Sequence, residues 1–235
     1  MLKVDLHLHT AEDPTDNIVH SARVLVDRAA ELGFDALAIT LHDRQLADRE
    51  VTAYARERGI ALLPGIERTI QGRHVLLLNF PQISEQVRTF ADLAALKGRS
   101  NGIVIAPHPF FPVGMSLRGL LDTHVDLFDA VEWTYFWTRA TNFNARAARW
   151  AHRHGKPLVG NSDLHDIRQL GRTYTRIQAE PDADAICQAI RDGLVTLETS
   201  PVPVVELAKV VSGMIRRGRK SRASAGSEPA RLATM

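Results

Sequence analysis

The stretch VDLHLHTAEDPTD, residues 4–16, sets His7 and His9 two positions apart and follows them with Glu12, Asp13 and Asp16. Residues two apart on an extended strand point to one face. Both imidazoles can therefore approach a single ion while Leu6 and Leu8 pack outward, and Asp5 falls one step deeper as a supporting residue. The same pairing of imidazole with carboxylate recurs along the chain: His42 with Asp43, Glu67 with His74, His108, Glu132, and Asp163 with His165. Imidazole and carboxylate together suit zinc, iron or manganese. The one cysteine, Cys187, excludes a thiolate metal cluster and an intramolecular disulfide, and reads as a buried small hydrophobe. The donors point to an open, catalytic metal centre rather than a closed structural one.

Such a centre needs elements that bring distant residues to one place. Short apolar runs over 2–9, 36–40, 61–67, 74–79, 102–108, 130–133, 157–163 and 173–178 read as strands. Between many of them lie amphipathic segments, SARVLVDRAAELG, REVTAYARERG and NARAARWAHRHG, each closing on a glycine suited to a helix end. Near-continuous apolar strands suggest a sheet covered on both faces. Most of the histidines and acids fall at strand ends, and a parallel barrel delivers every strand's C-terminal end to one rim. An open sheet would spread the same groups along a line, so the expected fold is α/β and barrel-like.

Taken in order, DLHLHT, ITLHD, PGIE, PHP and NSDLH resemble the successive motifs of the PHP (polymerase and histidinol phosphatase) family, over residues 2 to about 178. The segments GIVIAPHPFFP and LVGNSDLHDIRQLGRTYTRI also resemble its branch with a PHP-associated second half. The resemblance implies a distorted (β/α)7, TIM-like barrel, with two to three divalent ions (Zn, Mn or Fe) at the C-terminal rim of the strands. It assigns His7, His9, Glu67 and Asp163 to a first ion. Glu67 bridges to a second ion completed by His74 and His108, and His42 and His165 hold a third with Asp13. Glu67 and Asp163 would orient a metal-bridging hydroxide for hydrolysis of a phosphoester. Two positions depart from the family pattern: Leu41 stands where the second motif usually has an acid, and Pro14 where an acid usually follows the first. Asp13 is thus a shifted candidate, with Asp16 its rival.

Arg44, Arg139, Arg168 and Arg172 follow rim motifs and are candidates for gripping a substrate phosphate. The aromatic run EWTYFW, 132–137, is either a packed lip or a stacking wall for a base or sugar, with Glu132 as a supporting acid. His20, His124, His152 and His154 lack such placement and read as surface or structural.

The chain has 235 residues, 45% hydrophobic and 24% charged, enough for one large domain. Residues 1–205 are expected to form the barrel. Residues 206–235, with seven Lys/Arg against two Glu, form a helix end and a basic, disordered tail. The charge of the tail allows weak contact with a polyanion, but no obligate nucleic-acid partner is expected. With no run of 18 apolar residues and no secretory signal pattern, a cytoplasmic protein without a transmembrane segment is expected.

The leading expectation is a metal-dependent phosphoesterase acting on a small phosphorylated metabolite or nucleotide. A metal-dependent amide or lactone hydrolase, and a catalytically decayed metal-stabilised binding module, are the alternatives.

Overall fold

The structure, a computed structural model, describes residues 1–225. In chain order the elements are β1 (Leu2–Leu8), α1 (Ala22–Glu31), β2 (Ala36–Ile39), α2 (Arg49–Glu57), β3 (Ala61–Ile70), β4 (Arg73–Leu78), α3 (Phe90–Lys97), β5 (Ile103–Ala106), α4 (Leu120–Thr123), β6 (Ala130–Thr134), α5 (Asn144–Arg153), β7 (Leu158–Asn161), β8 (Thr173–Ile177), α6 (Ala183–Arg191), β9 (Val195–Thr199) and α7 (Val204–Ala225). One nine-stranded sheet runs β7-β6-β5-β4-β3-β2-β1-β8-β9.

Its ends curl together into a nearly closed barrel. At the rim, Leu8 and Leu164 form a parallel bridge, with His9 N–H donating to Leu164 O at 3.1 Å and Leu164 N–H to His7 O at 3.2 Å. Lower down, Gly160 N–H donates to Thr175 Oγ1 at 2.8 Å, and that hydroxyl donates to Gly160 O at 2.9 Å. A side chain at position 160 is excluded by this close approach, since a Cβ would lie 2.4 Å from Leu197 Cδ1 and 2.7 Å from Tyr174 O.

The expected barrel is present, with two departures. Its strands are not all parallel. β4 is antiparallel to both β3 and β5, because the hairpin turn at 71–72 is too short for a crossover. That reversal brings the start of β4, and with it His74, to the rim where its neighbours end. A ninth strand, β9, pairs antiparallel with β8 and was not evident in the sequence. Helix α7 covers the first part of the segment whose composition suggested a tail; residues 226–235 of that segment lie outside the described residues.

Three apolar layers surround the sheet. Val4, Leu6, Ala36, Ala38, Leu76, Leu78, Ile103, Ile105, Ala130 and Val159 fill the barrel interior with Ile186, Cys187 and Ile190 of α6. Leu8, Leu37, Ile39 and Leu41 pack outward on Leu25, Val26 and Ala29 of α1 and on Val51 and Ala55 of α2. Outside β3 to β6, a third cluster joins Ile66, Val75, Val104 and Val131 to α3, α4 and Trp150 of α5. Asp48 and Asp182 cap α2 and α6 by accepting backbone N–H bonds in the first turn.

β1 breaks the simple alternation expected of it. Val4 and Asp5 register with Ala36 and Leu37, but Leu8 registers with Ile39, so the pairing slips by one residue in between. Leu6 therefore packs inward with Val4, correcting the expectation that it faces out with Leu8. A bulge of this kind re-aims side chains. Above it, His7 and His9 face the barrel mouth.

Candidate metal centre

Six histidines converge over the apolar floor. His7 lies on β1 and His9 directly after it, His42 follows β2, His74 lies at the start of β4, His108 follows β5, and His165 follows β7. Glu67, on β3, lies at their centre and is almost completely buried. Its Oε2 is 3.4 Å from His7 Nε2, 3.3 Å from His9 Nε2 and 3.1 Å from His42 Nε2. Its Oε1 is 2.7 Å from His74 Nδ1 and 3.2 Å from His108 Nε2. Each oxygen of this one carboxylate thus serves a different group of rings.

Asp163 Oδ1 lies opposite, 3.4 Å from His7 Nε2 and 3.8 Å from His9 Nε2. An ion holding four donors tetrahedrally at about 2.1 Å spaces them about 3.4 Å apart. His7 and His9 lie at close to that spacing from Glu67 Oε2, and Asp163 Oδ1 is at it from His7 and a little beyond it from His9. His7 Nε2 and His9 Nε2 are moreover buried without a hydrogen-bond partner. Buried polar atoms are rarely left so, and two imidazole nitrogens aimed at a gap between carboxylates fit a divalent cation.

Carboxylates on the far side fix the rings. His7 Nδ1–H donates to Glu132 Oε1 at 2.8 Å, while His9 Nδ1–H and His42 Nδ1–H both donate to Asp13 Oδ2 at 3.0 Å. Each bond selects the tautomer that leaves Nε2 free to face the centre. Asp13 also accepts from the backbone N–H of Thr15, Asp16 and His42. Its oxygens are occupied, so the structure places it behind the rings. Asp16 Oδ2, by contrast, sits 2.9 Å from His165 Nε2. His165 turns its Nδ1 back to Asp163 O at 2.9 Å.

Further support was only partly visible in the sequence. Glu132 Oε2 accepts His108 N–H at 2.7 Å, so one acid braces two histidines. Asn161 Nδ2–H donates to Glu132 Oε1, and its Oδ1 accepts Leu6 N–H, both at 3.0 Å. The spacing of Asn161 and Asp163 in GNSD was the available signal for this residue. Asp5 accepts Ser162 N–H through both oxygens, at 3.1 and 3.2 Å, tying β1 to the loop that carries Asp163. His108 and Asp163 adopt φ of +29° and +48°. Such angles are costly for a histidine and persist only where surroundings enforce them. Here the Glu132 bond and the Ser116 hydroxyl, which donates to His108 O at 2.8 Å, hold the backbone from both sides.

The electrostatics describe a site that wants positive charge. Burial opposes ionisation of Glu67, but His74, His7 and His42 outweigh it and hold the carboxyl well below its usual range. Burial likewise disfavours the His42 cation, yet Glu67 and Asp13 push its pKa up to about 11. His7 is raised well above its ordinary value, as Glu132, Asp163 and Glu67 overcome burial. His9 is lowered, by burial and by His42 and His165. Burial raises Asp5 to about 7.

The candidate arginines do not converge. Arg44 bonds Glu12 O, Arg168 forks onto Asp166 at 2.8 Å through both Nε and Nη2, and Arg172 reaches Glu206 Oε2 at 3.0 Å. Arg139 lies beside Pro201 and Val202 in a surface groove. Of the aromatic run, Tyr135 is fully buried and donates to Glu206 Oε1 at 2.9 Å, and Trp137 Nε1–H donates to Thr199 Oγ1 at 2.9 Å. Those two rings pack β9 and α7 onto the rim. Of the remaining histidines, His20 is buried, its Nε2 2.9 Å from His9 O, and His124 stacks on Phe90. Among the described residues no helix is long and apolar enough to cross a membrane.

The PHP-associated family matches residues 141–195, from the loop before α5 to the start of β9. No curated protein matches the chain in sequence. Among solved structures, a two-domain Bacteroides vulgatus protein described as containing a PHP-like metal-dependent phosphoesterase is 18% identical, with a TM-score of 0.68 over 91% of this chain and 69% of its own. A Bifidobacterium adolescentis protein described as a metal-dependent phosphoesterase is 16% identical, with a TM-score of 0.57 over 92% of this chain and 96% of its own. The lesion-specific endonuclease Q of Pyrococcus furiosus is 18% identical, with a TM-score of 0.58 over 83% of this chain and 57% of its own. At these identities the structural likenesses concern the fold. The ordered motifs, the PHP-associated match over 141–195 and the shared fold together support the PHP domain family.

Proposed function

We propose that this protein is a metal-dependent phosphoesterase acting on a small phosphorylated metabolite or nucleotide. The observation that carries the reading is Glu67, a buried carboxylate with His7, His9 and His42 around one oxygen and His74 and His108 around the other. One carboxylate shared between two donor groups suits a pair of divalent ions held close together. His7, His9, Glu67 and Asp163 would hold the first, and Glu67, His74 and His108 the second. His42 and His165, with Asp16 in preference to Asp13, would hold a third. Divalent ions there supply Lewis acidity and activate water near neutral pH. Glu67 and Asp163 set the negative charge that draws the ions in, while Glu132 and Asp13 keep the rings aimed. No side chain is needed as a nucleophile.

His42, His74, His108, Asp163 and His165 keep 10–13% of their side chains accessible, so solvent reaches the imidazole-rich centre from that side, which suits an anionic group. A phosphate monoester offers several oxygens for sharing among cations and for N–H donors at the edge. The experiment is metal analysis of the purified protein, then hydrolysis of an aryl phosphate, a phosphometabolite panel, a lesion-bearing oligonucleotide, and amide and lactone panels. Bound divalent metal with phosphomonoester turnover abolished in His9→Ala is the expected result. Metal-free protein with turnover unchanged in His9→Ala would sink it. Turnover confined to amides or lactones would transfer the site to carbon chemistry.

A further inference from the structure

The basic C-terminal helix contributes to the rim. Over residues 204–217 of α7 the buried or half-buried positions are Glu206, Val210, Gly213 and Arg217, at the i, i+4, i+7 and i+11 spacing of one face, with Leu207 and Met214 beside them. Glu206 fastens the first turn: its two oxygens take Tyr135 Oη–H at 2.9 Å and Arg172 Nη2–H at 3.0 Å. Arg217 lies three turns further along the same face, about 16 Å away at 1.5 Å per residue. Its Nη2–H donates to the carbonyl of His165 at 3.0 Å. The latch at Glu206 therefore determines where this guanidinium arrives.

Two features mark Arg217 as more than a surface charge. No carboxylate lies in ion-pair range of it among the described residues, and the nearby Asp166 is already forked by Arg168. The interior of α7 also carries a glycine where alanine would be better by about 1 kcal/mol. A Cβ at position 213 would come within 3.2 Å of Arg217 Nη1, so the bare backbone of Gly213 leaves room for the guanidinium to lie back along the helix. An arginine with one N–H bound to a carbonyl retains four donors.

We propose that Arg217 is a substrate-binding residue that grips the oxygens of a phosphate group beside His165. It rests on the phosphoesterase reading for its substrate class, but phosphate binding can be measured without turnover. The planar fork matches phosphate geometry in a way lysine does not. Helix α7 is then one wall of the site.

The test uses the full chain loaded with its metal and inorganic phosphate as the probe. Arg217→Ala is expected to weaken phosphate binding by calorimetry about 10- to 100-fold, the range for a lost charge-assisted bond, with metal content unchanged. Arg217→Lys should recover only part of it. Gly213→Leu, which crowds the guanidinium and leaves the charge in place, should weaken phosphate in the same direction. Unchanged phosphate affinity in Arg217→Ala overturns the proposal. So does loss of metal in place of phosphate affinity, since that would make Arg217 a brace for His165. If wild-type protein binds phosphate through Arg217 and hydrolyses no phosphoester, the functional reading fails and this assignment stands.

Discussion

The two sides of the rim hold their histidines in opposite ways. Around Glu67 the donors come mostly from strands or the residues directly after them, and His7, His9 and His42 have their outer nitrogens locked by Glu132 or Asp13. At the His165 side the donors lie on loops, and both ring nitrogens are already engaged, one by Asp16 and one by the backbone of Asp163. Strand-borne residues inherit their aim from sheet register. Loop-borne residues depend on local turns, so this corner is held by fewer sheet contacts than the one around Glu67. On the function proposed above, the expected consequence is a core pair of ions with a weaker third position.

The most severe way to break that contrast is Glu67→Gln. It removes the charge from the one carboxylate that, among the described residues, lies between both donor groups, and it leaves several buried imidazoles competing for protons. Loss of divalent metal and of hydrolysis should both exceed the roughly 10- to 100-fold that removing an outer partner costs. Metal stoichiometry by mass spectrometry, read beside turnover, checks it; a variant that keeps both ions would show that the bridge is not required.

Glu132→Gln and Asp13→Asn probe the locks one layer out. Each should cost about 10- to 100-fold in metal affinity, and Glu132 the more of the two, because it holds His7 by a side-chain bond and His108 by its backbone N–H. Equal and negligible effects would mean the strands alone set the geometry.

Acidity offers a graded perturbation of the same corner. His42, pushed up to about 11, has a folded-state pKa above its unfolded value near 6.5. In metal-free protein its ion pairs therefore stabilise the fold fully below about pH 6.5, and that contribution fades as pH rises toward the folded value. An entering ion must displace this proton, so binding should release protons at pH 7 and tighten about tenfold per pH unit for each proton displaced. Calorimetry in two buffers of different ionisation enthalpy counts them. A buffer-independent heat would contradict the protonated starting state.

The uneven legibility of the site in the sequence follows the same divide. Ring and acid at strand ends could be read from spacing, and His7, His9, His42, Glu67, His74, His108, Asp163 and His165 do meet in space. Two features escaped. The slip in β1 pairing, which turns Leu6 inward, depends on how β1 meets β2, and residue alternation carries no trace of it. The reversal of β4 was hidden because an apolar run of six residues has no direction until the hairpin before it is seen. Long-range partners were the least visible: Glu206 meets Arg172, 34 residues away, and Arg217 meets His165, 52 residues away, through a helix whose composition suggested a tail.

Asp16→Asn should have the smallest effect and sharpens the contrast most. Asp16 lies on a turn after β1 and is part-exposed, with a 35% accessible side chain, whereas the side chains of Glu67 and Asp13 are 1% and 0% accessible. Its pKa is lowered, as the His165 hydrogen bond and the His165 and His42 charges overcome burial. Asparagine keeps the size and an oxygen acceptor but loses the charge, so His165 retains a partner and the fold should be indifferent. If the loop corner holds only a weak third ion, occupancy should fall there by roughly the tenfold lower limit for an outer partner, while the two ions at Glu67 stay bound. Turnover should then drop modestly and recover with added metal. Loss of all metal from Asp16→Asn would mean that the two corners act as one cluster, and that the strand-held group draws its affinity from a residue on a loop.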